Sequence, residues 1–350
     1  MKKILITIAY AAAVITASSC AKKIETSPNE ANNRFLEAWM QVNYPGIQAE
    51  GLGIYVLDSE DGTGAEVKKD GYAVVNYTKT DLEGNITEYT REETARQLGT
   101  YAETSYYGPN VWLTTDETIR AGVQNAVIGM KVGGKKSVVV PSWLMTYSAY
   151  DSPEKYFKEE SEYTNTIYDI EIVDFTTDIN QWQIDSIGRF FNNSEIMIAD
   201  KPASEIFAGM SSADTTQVNG FYYKELTAPS DTSAFPSDTT IYINYTGRLL
   251  NGLVFDTSIE NVAKDNGLYS SSKKYGPVLI NWGETYSDIT MGSENSSIIS
   301  GFALTLWQMQ SLEKGIGVFY SPLGYNYSGS GASIPGYAPL IFEIEVVEKP

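Results

Sequence analysis

The chain carries one strand twice, and that repeat limits what it can fold into more than any other feature. Val75-Asn76-Tyr77-Thr78 is followed by Leu82 and Gly84, and Ile243-Asn244-Tyr245-Thr246 is followed at the same spacing by Leu250 and Gly252. The far ends repeat as well. Ile167-Tyr168-Asp169-Ile170-Glu171-Ile172-Val173-Asp174 mirrors Ile341-Phe342-Glu343-Ile344-Glu345-Val346-Val347-Glu348. Both ends alternate apolar and acidic residues, the period of a strand with one face in a core and one in water. A chain of 350 residues has room for two such domains. We read a duplication.

Each copy opens on a first strand, Gly51-Leu52-Gly53-Ile54-Tyr55-Val56-Leu57 and Gly220-Phe221-Tyr222-Tyr223-Lys224-Glu225-Leu226. A helical segment precedes each. Residues 30–43 space Phe35, Leu36, Trp39 and Met40 on one face, and residues 179–191 do the same with Trp182, Ile184, Ile187 and Phe190. Such stripes either bind partners or pack on their own domain, and we take the second reading. Inside each copy a short helix, Gly122 to Met130 and Gly301 to Met309, leads to an apolar run, Val138-Val139-Val140 and Val318-Phe319-Tyr320. Strands, one short helix and more strands make an α+β class, with a curved antiparallel sheet wrapped on a short helix in each unit. The expected division is a signal peptide at 1–20, a tether and helix at 21–50, a first unit at 51–176, a linker with a helix at 177–218, and a second unit at 219–350.

Composition removes several function classes. The formal net charge is -19, so a basic face able to neutralise phosphates is not available. The pairs Lys135-Lys136 and Lys273-Lys274 are too short to supply one. There is no histidine. That excludes hydrolases with a histidine base and zinc sites built on imidazole. The single cysteine, Cys20, forms no intrachain disulfide. Gly129-Met130-Lys131-Val132-Gly133-Gly134-Lys135-Lys136 nearly matches a P-loop, but Lys136 stands where a Ser or Thr must bind magnesium, and the segment follows a helix. It reads as a turn. Asp58-Ser59-Glu60-Asp61-Gly62-Thr63-Gly64 lacks the spacing of a calcium loop and reads as a β-turn. Asp81 with Glu83, and Glu343 with Glu345, alternate along strands as solvated carboxylates.

The N-terminus reads as an address. Lys2 and Lys3 precede an apolar run from Ile4 to Ile15, too short to span a bilayer, and then Ala17-Ser18-Ser19-Cys20. This resembles a bacterial lipoprotein signal, with Ala17 where leucine is commonest. A plain secretory signal with Cys20 incidental is the alternative. The position of the only cysteine favours a lipidated Cys20 and a polar tether at residues 21–30. The expected location is the cell envelope, anchored to the periplasm-facing outer membrane of a Gram-negative bacterium, with membrane contact through that anchor only.

The second copy carries the chemistry. Tyr245-Thr246-Gly247 leads through Gly252 to Phe255-Asp256; Ile298-Ile299-Ser300-Gly301-Phe302, Leu323-Gly324-Tyr325 and Leu340-Ile341-Phe342-Glu343-Ile344-Glu345-Val346 follow. In this order the blocks resemble the FKBP-type peptidyl-prolyl isomerase family, from about Gly220 to the end and more loosely from Gly51 to Phe175. The resemblance implies isomerisation of X-Pro bonds in proline-containing polypeptides, with no cofactor, no metal and no nucleic-acid partner. It implies aromatic walls at Tyr245, Phe255, Phe302 and Phe342, with Phe302 on a floor where the family usually has tryptophan. Asp256 becomes the pocket carboxylate. Ile298 and Ile299 become the rim, the Ile299 N–H meeting a substrate carbonyl. Tyr325 becomes a hydroxyl at the mouth, and Ile334 a further apolar contact. Taken singly, each of these residues is ordinary core, and the order of the blocks is what lifts them.

Two departures matter. Asn326 replaces a glycine common in the family, and residues 257–296, with Trp282 among them, exceed the family's minimal form. That insertion is expected to be a flap, a partner surface or a disordered insert. The first copy keeps Tyr77, but Thr87, Glu88 and Val123 stand at the aromatic, aspartate and floor positions. Thr146 or Tyr147 aligns near the mouth, and an acidic run from Asp151 to Glu162 replaces the Ile-Pro loop. A pocket without those rings is expected to bind proline poorly and not to catalyse, leaving the first unit as a spacer, a chaperone-like surface or a partner site. The rivals to an isomerase are a non-catalytic FKBP-like binding or chaperone lipoprotein, and a purely structural lipoprotein.

Overall fold

The repeated strand forms the axis of each sheet. A computed structural model describes residues 26–160 and 162–350. The reading of a signal peptide and of lipidation at Cys20 lies outside the described residues.

The chain enters through helix α1 (Pro28–Asn43), capped by Ser27, whose hydroxyl accepts from the Glu30 N–H. The first sheet contains β1 (Tyr55–Glu60), β2 (Tyr72–Asp81), β3 (Ile86–Tyr89), β4 (Asn110–Leu113), β5 (Lys135–Val140) and β6 (Thr166–Thr176), with α2 (Glu92–Leu98), α3 (Ala121–Val127) and α4 (Pro153–Tyr156) between them. Helix α5 (Ile179–Asn193), the short pair β7 (Met197–Ile198) and β8 (Lys201–Pro202), and α6 (Ala203–Ile206) follow. The second sheet contains β9 (Phe221–Thr227), β10 (Thr240–Leu249), β11 (Val254–Thr257), β12 (Val278–Asn281), β13 (Thr290–Met291), β14 (Ser296–Ser297), β15 (Lys314–Phe319) and β16 (Leu340–Val347), with α7 (Glu260–Asp265) and α8 (Ser300–Gln308).

The two sheets share one strand order. It runs β1-β5-β6-β2 in the first, with β3 and β4 both on β2, and β9-β15-β16-β10 in the second, with β11 and β12 both on β10. All pairings are antiparallel, and Tyr77 faces Ile170 across its ladder as Tyr245 faces Ile344 across the other. The loops repeat too. Tyr77 N–H donates to Thr90 Oγ1 at 3.0 Å, and Tyr245 N–H to Ser258 Oγ at 3.0 Å. Tyr101 stacks on Tyr107 at 5.5 Å, and Tyr269 on Tyr275 at 5.6 Å. The segment after Asp256 is therefore mostly a second copy of a loop that the first unit also has. What is peculiar to it is the β13–β14 hairpin, and it is not a disordered insert. Trp282 is buried there, stacked on Trp307 at 5.5 Å.

Each sheet is covered on both faces. In the first, α3 lies over Val75, Val138, Ile170 and Ile172. On the back, Leu36 and Met40 of α1 pack on Val139, and Trp39 donates to Leu82 O at 2.9 Å. In the second, Phe302 and Leu306 of α8 pack on Ile243, Ile344 and Val346. On the back, Ile187, Phe190 and Phe191 of α5 meet Ile316, Val318 and Ile341. The apolar stripes of both leading helices are thus mostly packed on their own sheets, but Phe35 is exposed, and half-buried Trp182 donates instead to Asp174 Oδ2 of β6 in the first sheet at 2.8 Å.

One expected strand starts late. Gly51 and Gly53 have φ of +56° and +124°, a left-handed backbone, so residues 50–54 form a turn closed by Glu50 N–H to Ile54 O at 2.7 Å, and β1 begins at Tyr55. The segment from Ser321 to Pro339 joins the units. Tyr106 N–H donates to Ala332 O at 2.8 Å, and the Tyr337 ring meets Tyr72 edge-on at 5.6 Å. No helix among the described residues is long and apolar enough to cross a membrane.

Candidate active site

The site is built where β10 meets β11 and β16. Gly247 faces Asp256 on one side and Phe342 on the other. A Cβ on Gly247 would lie 2.6 Å from the Phe255 ring and 2.8 Å from Phe342. The glycine that ends the Tyr-Thr-Gly block therefore lets two rings close over the strand.

Those rings form an edge-to-face cluster. Phe302 lies 5.5 Å from Tyr245 and 4.9 Å from Phe342, with interplanar angles of 85° and 87°. Phe255 meets Phe342 at 5.5 Å and 76°. Such geometry suits the ring quadrupoles. Helix α8 brings Phe302 in, and it begins close to the sheet because Gly301 has no Cβ to meet Phe319, 2.3 Å away. Phe319 in turn stacks on Phe342 at 5.9 Å. Tyr245, Phe302 and Phe342 are buried, whereas Phe255, Asp256, Ile298, Ile299 and Tyr325 are half-buried. The buried rings are the inner part of the cluster and the half-buried residues its outer part.

Asp256 is held from three directions. The Tyr245 hydroxyl donates to Oδ2 at 2.6 Å, the Thr257 N–H to Oδ1 at 2.9 Å, and Lys273 Nζ lies 2.6 Å from Oδ1. Burial, and then the Asp256 charge, push the Tyr245 phenol well above its ordinary pKa, so it stays a neutral donor. Burial and the same carboxylate raise Tyr325. Ile299 is the N-cap of α8; its carbonyl accepts from Ala303 N–H at 3.1 Å, and its own N–H has no partner among the described residues. Ile334 is buried, its backbone bridged to Ser330, and it packs against this core. No group of three or more His, Cys, Asp or Glu among the described residues is placed to hold a metal ion.

Lys273 is the residue the sequence conceals. It reaches Asp256 only because the loop after α7 folds back, pinned by the Tyr269–Tyr275 stack and by Ser270 N–H donating to the Tyr275 hydroxyl at 3.0 Å. The recurrence of that tyrosine pair, as Tyr101 and Tyr107, is the signal that would have marked the loop as structured.

The first unit has no rings at Thr87 and Val123, but other rings stand beside Tyr77. Trp112, from β4, lies 4.9 Å from Tyr77, and Tyr168 of β6 meets Trp112 edge-on at 6.4 Å. Glu88 is held as Asp256 is. Tyr77 OH donates to Oε2 at 3.3 Å and Lys79 Nζ to Oε1 at 2.8 Å. Tyr147, not Thr146, lines the concavity; Thr146 is buried, donating to Ser148 O at 2.7 Å. Alignment by position missed Trp112 because its ring comes from a different strand than Phe255 does.

Residues 232–347 match the profile of the FKBP-type peptidyl-prolyl cis-trans isomerase family. A probable FKBP-type peptidyl-prolyl cis-trans isomerase of Haemophilus influenzae is 29% identical over 142 residues, 41% of this chain and 47% of that protein. FK506-binding protein 1A of Aspergillus fumigatus is 28% identical over 125 residues, 35% of this chain and 90% of that protein. The chain thus spans about half the length of the Haemophilus relative, 47%, and nearly all of the Aspergillus one, 90%. Among solved structures, FkpA from Escherichia coli gives a TM-score of 0.29 at 21% identity, covering 42% of this chain and 59% of that one. The three FKBP domains of wheat FKBP73 give 0.27 at 14%, covering 84% and 94%.

Proposed function

The second unit of this chain, through its residues 232–347, belongs to the FKBP-type peptidyl-prolyl cis-trans isomerase family, and from that premise we propose that this unit catalyses cis-trans isomerisation of X-Pro bonds in polypeptides of the cell envelope. The uncatalysed reaction takes roughly tens to hundreds of seconds, because resonance gives the C–N bond partial double-bond character. In the twisted transition state that resonance and its charge separation are lost. A dry aromatic floor of Tyr245, Phe302 and Phe342 favours the twisted amide over the planar one. The free Ile299 N–H is placed to bond a carbonyl of the substrate, and Phe255, Ile298 and Tyr325 contact the flanking chain. Asp256, fixed by Tyr245 and Lys273, supplies the one carboxylate beside the rings. No nucleophile or acid–base step enters this scheme.

The observation that carries the reading is the convergence of Tyr245, Phe255, Asp256, Phe302 and Phe342 around Gly247. The run from Ile4 to Ile15 before Cys20 supports placement in the envelope with a lipid anchor. The test is an X-Pro tetrapeptide isomerisation assay on the chain, wild type against Phe255→Ala and Asp256→Ala. Loss of rate in both variants is expected, and equal rates in all three would sink the assignment. The binding-module reading draws on Lys273, whose ammonium closes on Asp256 at 2.6 Å. It predicts tight peptide binding with no rate enhancement in the wild type.

A further inference from the structure

A cavity of about 620 Å³ lies over the first unit, and residues of the second unit help to line it. Its size is that of a site for a few residues of chain or a small ligand. Tyr77, Trp112 and Tyr168 form one wall, Arg120 stands at another, and Tyr327 and Tyr337 enter from the second unit. The Arg120 guanidinium lies 3.9 Å above the Tyr147 ring and pairs with no carboxylate among the described residues. Its forked N–H groups are thus oriented by the ring and left over for an acceptor. Tyr77 and Tyr168 are buried deeply enough to stay neutral, with Tyr77 pushed up to about 12 by burial first and Glu88 second.

We infer that this composite cavity is a docking site for an extended polypeptide, taking a large apolar or aromatic side chain between Trp112 and the tyrosines while Arg120 holds a backbone carbonyl. Tyrosine, tryptophan and arginine are enriched among the side chains that anchor protein–protein contacts, the two rings because they offer rigid amphipathic area at small entropy cost and arginine because of its planar fork of donors. The walls of Tyr245's pocket are mostly phenylalanine, whereas this cavity is lined by phenols, an indole and a guanidinium. The two sites therefore select different side chains. One loop also serves both. Tyr325 stands at the mouth of the second site, while Tyr327 and Tyr337 of the same segment line the first. A chain docked in the first unit is thereby held beside the pocket of the second, which keeps its proline segments at high local concentration. The inference rests on the proposed isomerase activity only for what happens to the client afterwards.

The test uses the chain without its leader and a permanently unfolded, reduced and carboxymethylated polypeptide, with binding read by fluorescence anisotropy. Tyr327 is 67% exposed, so Tyr327→Ser does not endanger folding. Both Tyr327→Ser and Arg120→Ser are expected to weaken binding about tenfold, in the range of interface anchor residues. Both are expected to leave turnover of a short X-Pro tetrapeptide unchanged and to lower the rate on the long client. Unchanged binding in both variants overturns the inference. So does loss of binding in Phe255→Ala alone, which would put the client in the second pocket, or equal binding of an unfolded chain stripped of both its aromatic and its large aliphatic residues. Failure of the isomerase reading shows separately, as absent tetrapeptide turnover in the wild type.

Discussion

Lys273 places its ammonium nitrogen 2.6 Å from Asp256 Oδ1 while the Tyr245 hydroxyl holds the other oxygen. In the first unit Tyr77 and Lys79 hold Glu88 in the same way. The lysines come from unrelated places, one from a loop and the other from strand β2. The two units thus share an arrangement of phenol, carboxylate and ammonium rather than a sequence position for the lysine.

Lys273→Met removes this ion pair. Both partners are about 40% exposed, 41% and 43%, so the pair is screened by solvent. Such pairs contribute about 0.2–1 kcal/mol. The expected outcome is a change in kcat/KM of less than about fivefold, with the wild type approaching the variant as salt is raised. A peptide isomerisation assay at low and high ionic strength checks it.

Tyr245→Phe keeps the ring and removes the hydroxyl. Asp256 then loses one donor and turns more freely on Lys273. The cost in stability is expected to be about 1–3 kcal/mol, the loss of a hydrogen bond to a charged group. Urea denaturation measures it, and the isomerisation rate is expected to fall with it. An unchanged midpoint would show that the bond contributes nothing.

Much of this fold was legible in the sequence because the repeat is a strand repeat. Alternation at Ile344-Glu345-Val346 marks which face is buried, and the strand positions follow from it. The ring cluster was legible only through the family resemblance, since the order of the blocks, not any local period, singles out Tyr245, Phe255, Phe302 and Phe342 from ordinary core. Lys273 and Trp112 were not. Each reaches its partner through a loop closure or a neighbouring strand, and no local period encodes that. The start of β1 was misplaced because Leu52 and Ile54 look like strand residues, while Gly51 and Gly53, each preceding one of them, adopt a left-handed turn.

Gly247→Ala tests the close approach of the two rings. The new methyl would sit 2.6 Å from Phe255 and 2.8 Å from Phe342, so both must move. Overpacking of this kind costs about 1–3 kcal/mol. The expected result is a lower urea midpoint together with an altered near-ultraviolet circular dichroism spectrum. A wild-type spectrum and midpoint would show that the cluster yields without cost.

Alkaline pH is expected to destabilise the protein through its buried phenols. Tyr77 and Tyr222 are pushed up to about 12, chiefly by burial, and Tyr223 and Tyr245 are raised as well. The folded state therefore binds these protons more tightly than the unfolded chain, whose tyrosines titrate near about 10. Their contribution is complete below about pH 10 and is lost as pH rises from there toward the folded-state values. Urea midpoints are expected to fall between about pH 10 and 12, with tyrosinate absorbance from these residues appearing only as the chain unfolds. A flat midpoint across that range contradicts it.

Helix α5, between the two sheets in sequence, lays Ile187, Phe190 and Phe191 on the back of the second sheet against Ile316, Val318 and Ile341. Its cap is Asp178, whose carboxylate accepts from the Asn180 and Gln181 N–H groups. A second-half fragment that folds by itself is therefore expected to begin at Asp178 rather than at the first strand. A fragment cut at residue 219 would bare a strip of aliphatic side chains on a sheet that needs both its covers, and self-association is the fate of such a surface. The segment between the repeats belongs to the architecture of the second one, which sets where evolution or an experimenter can separate them.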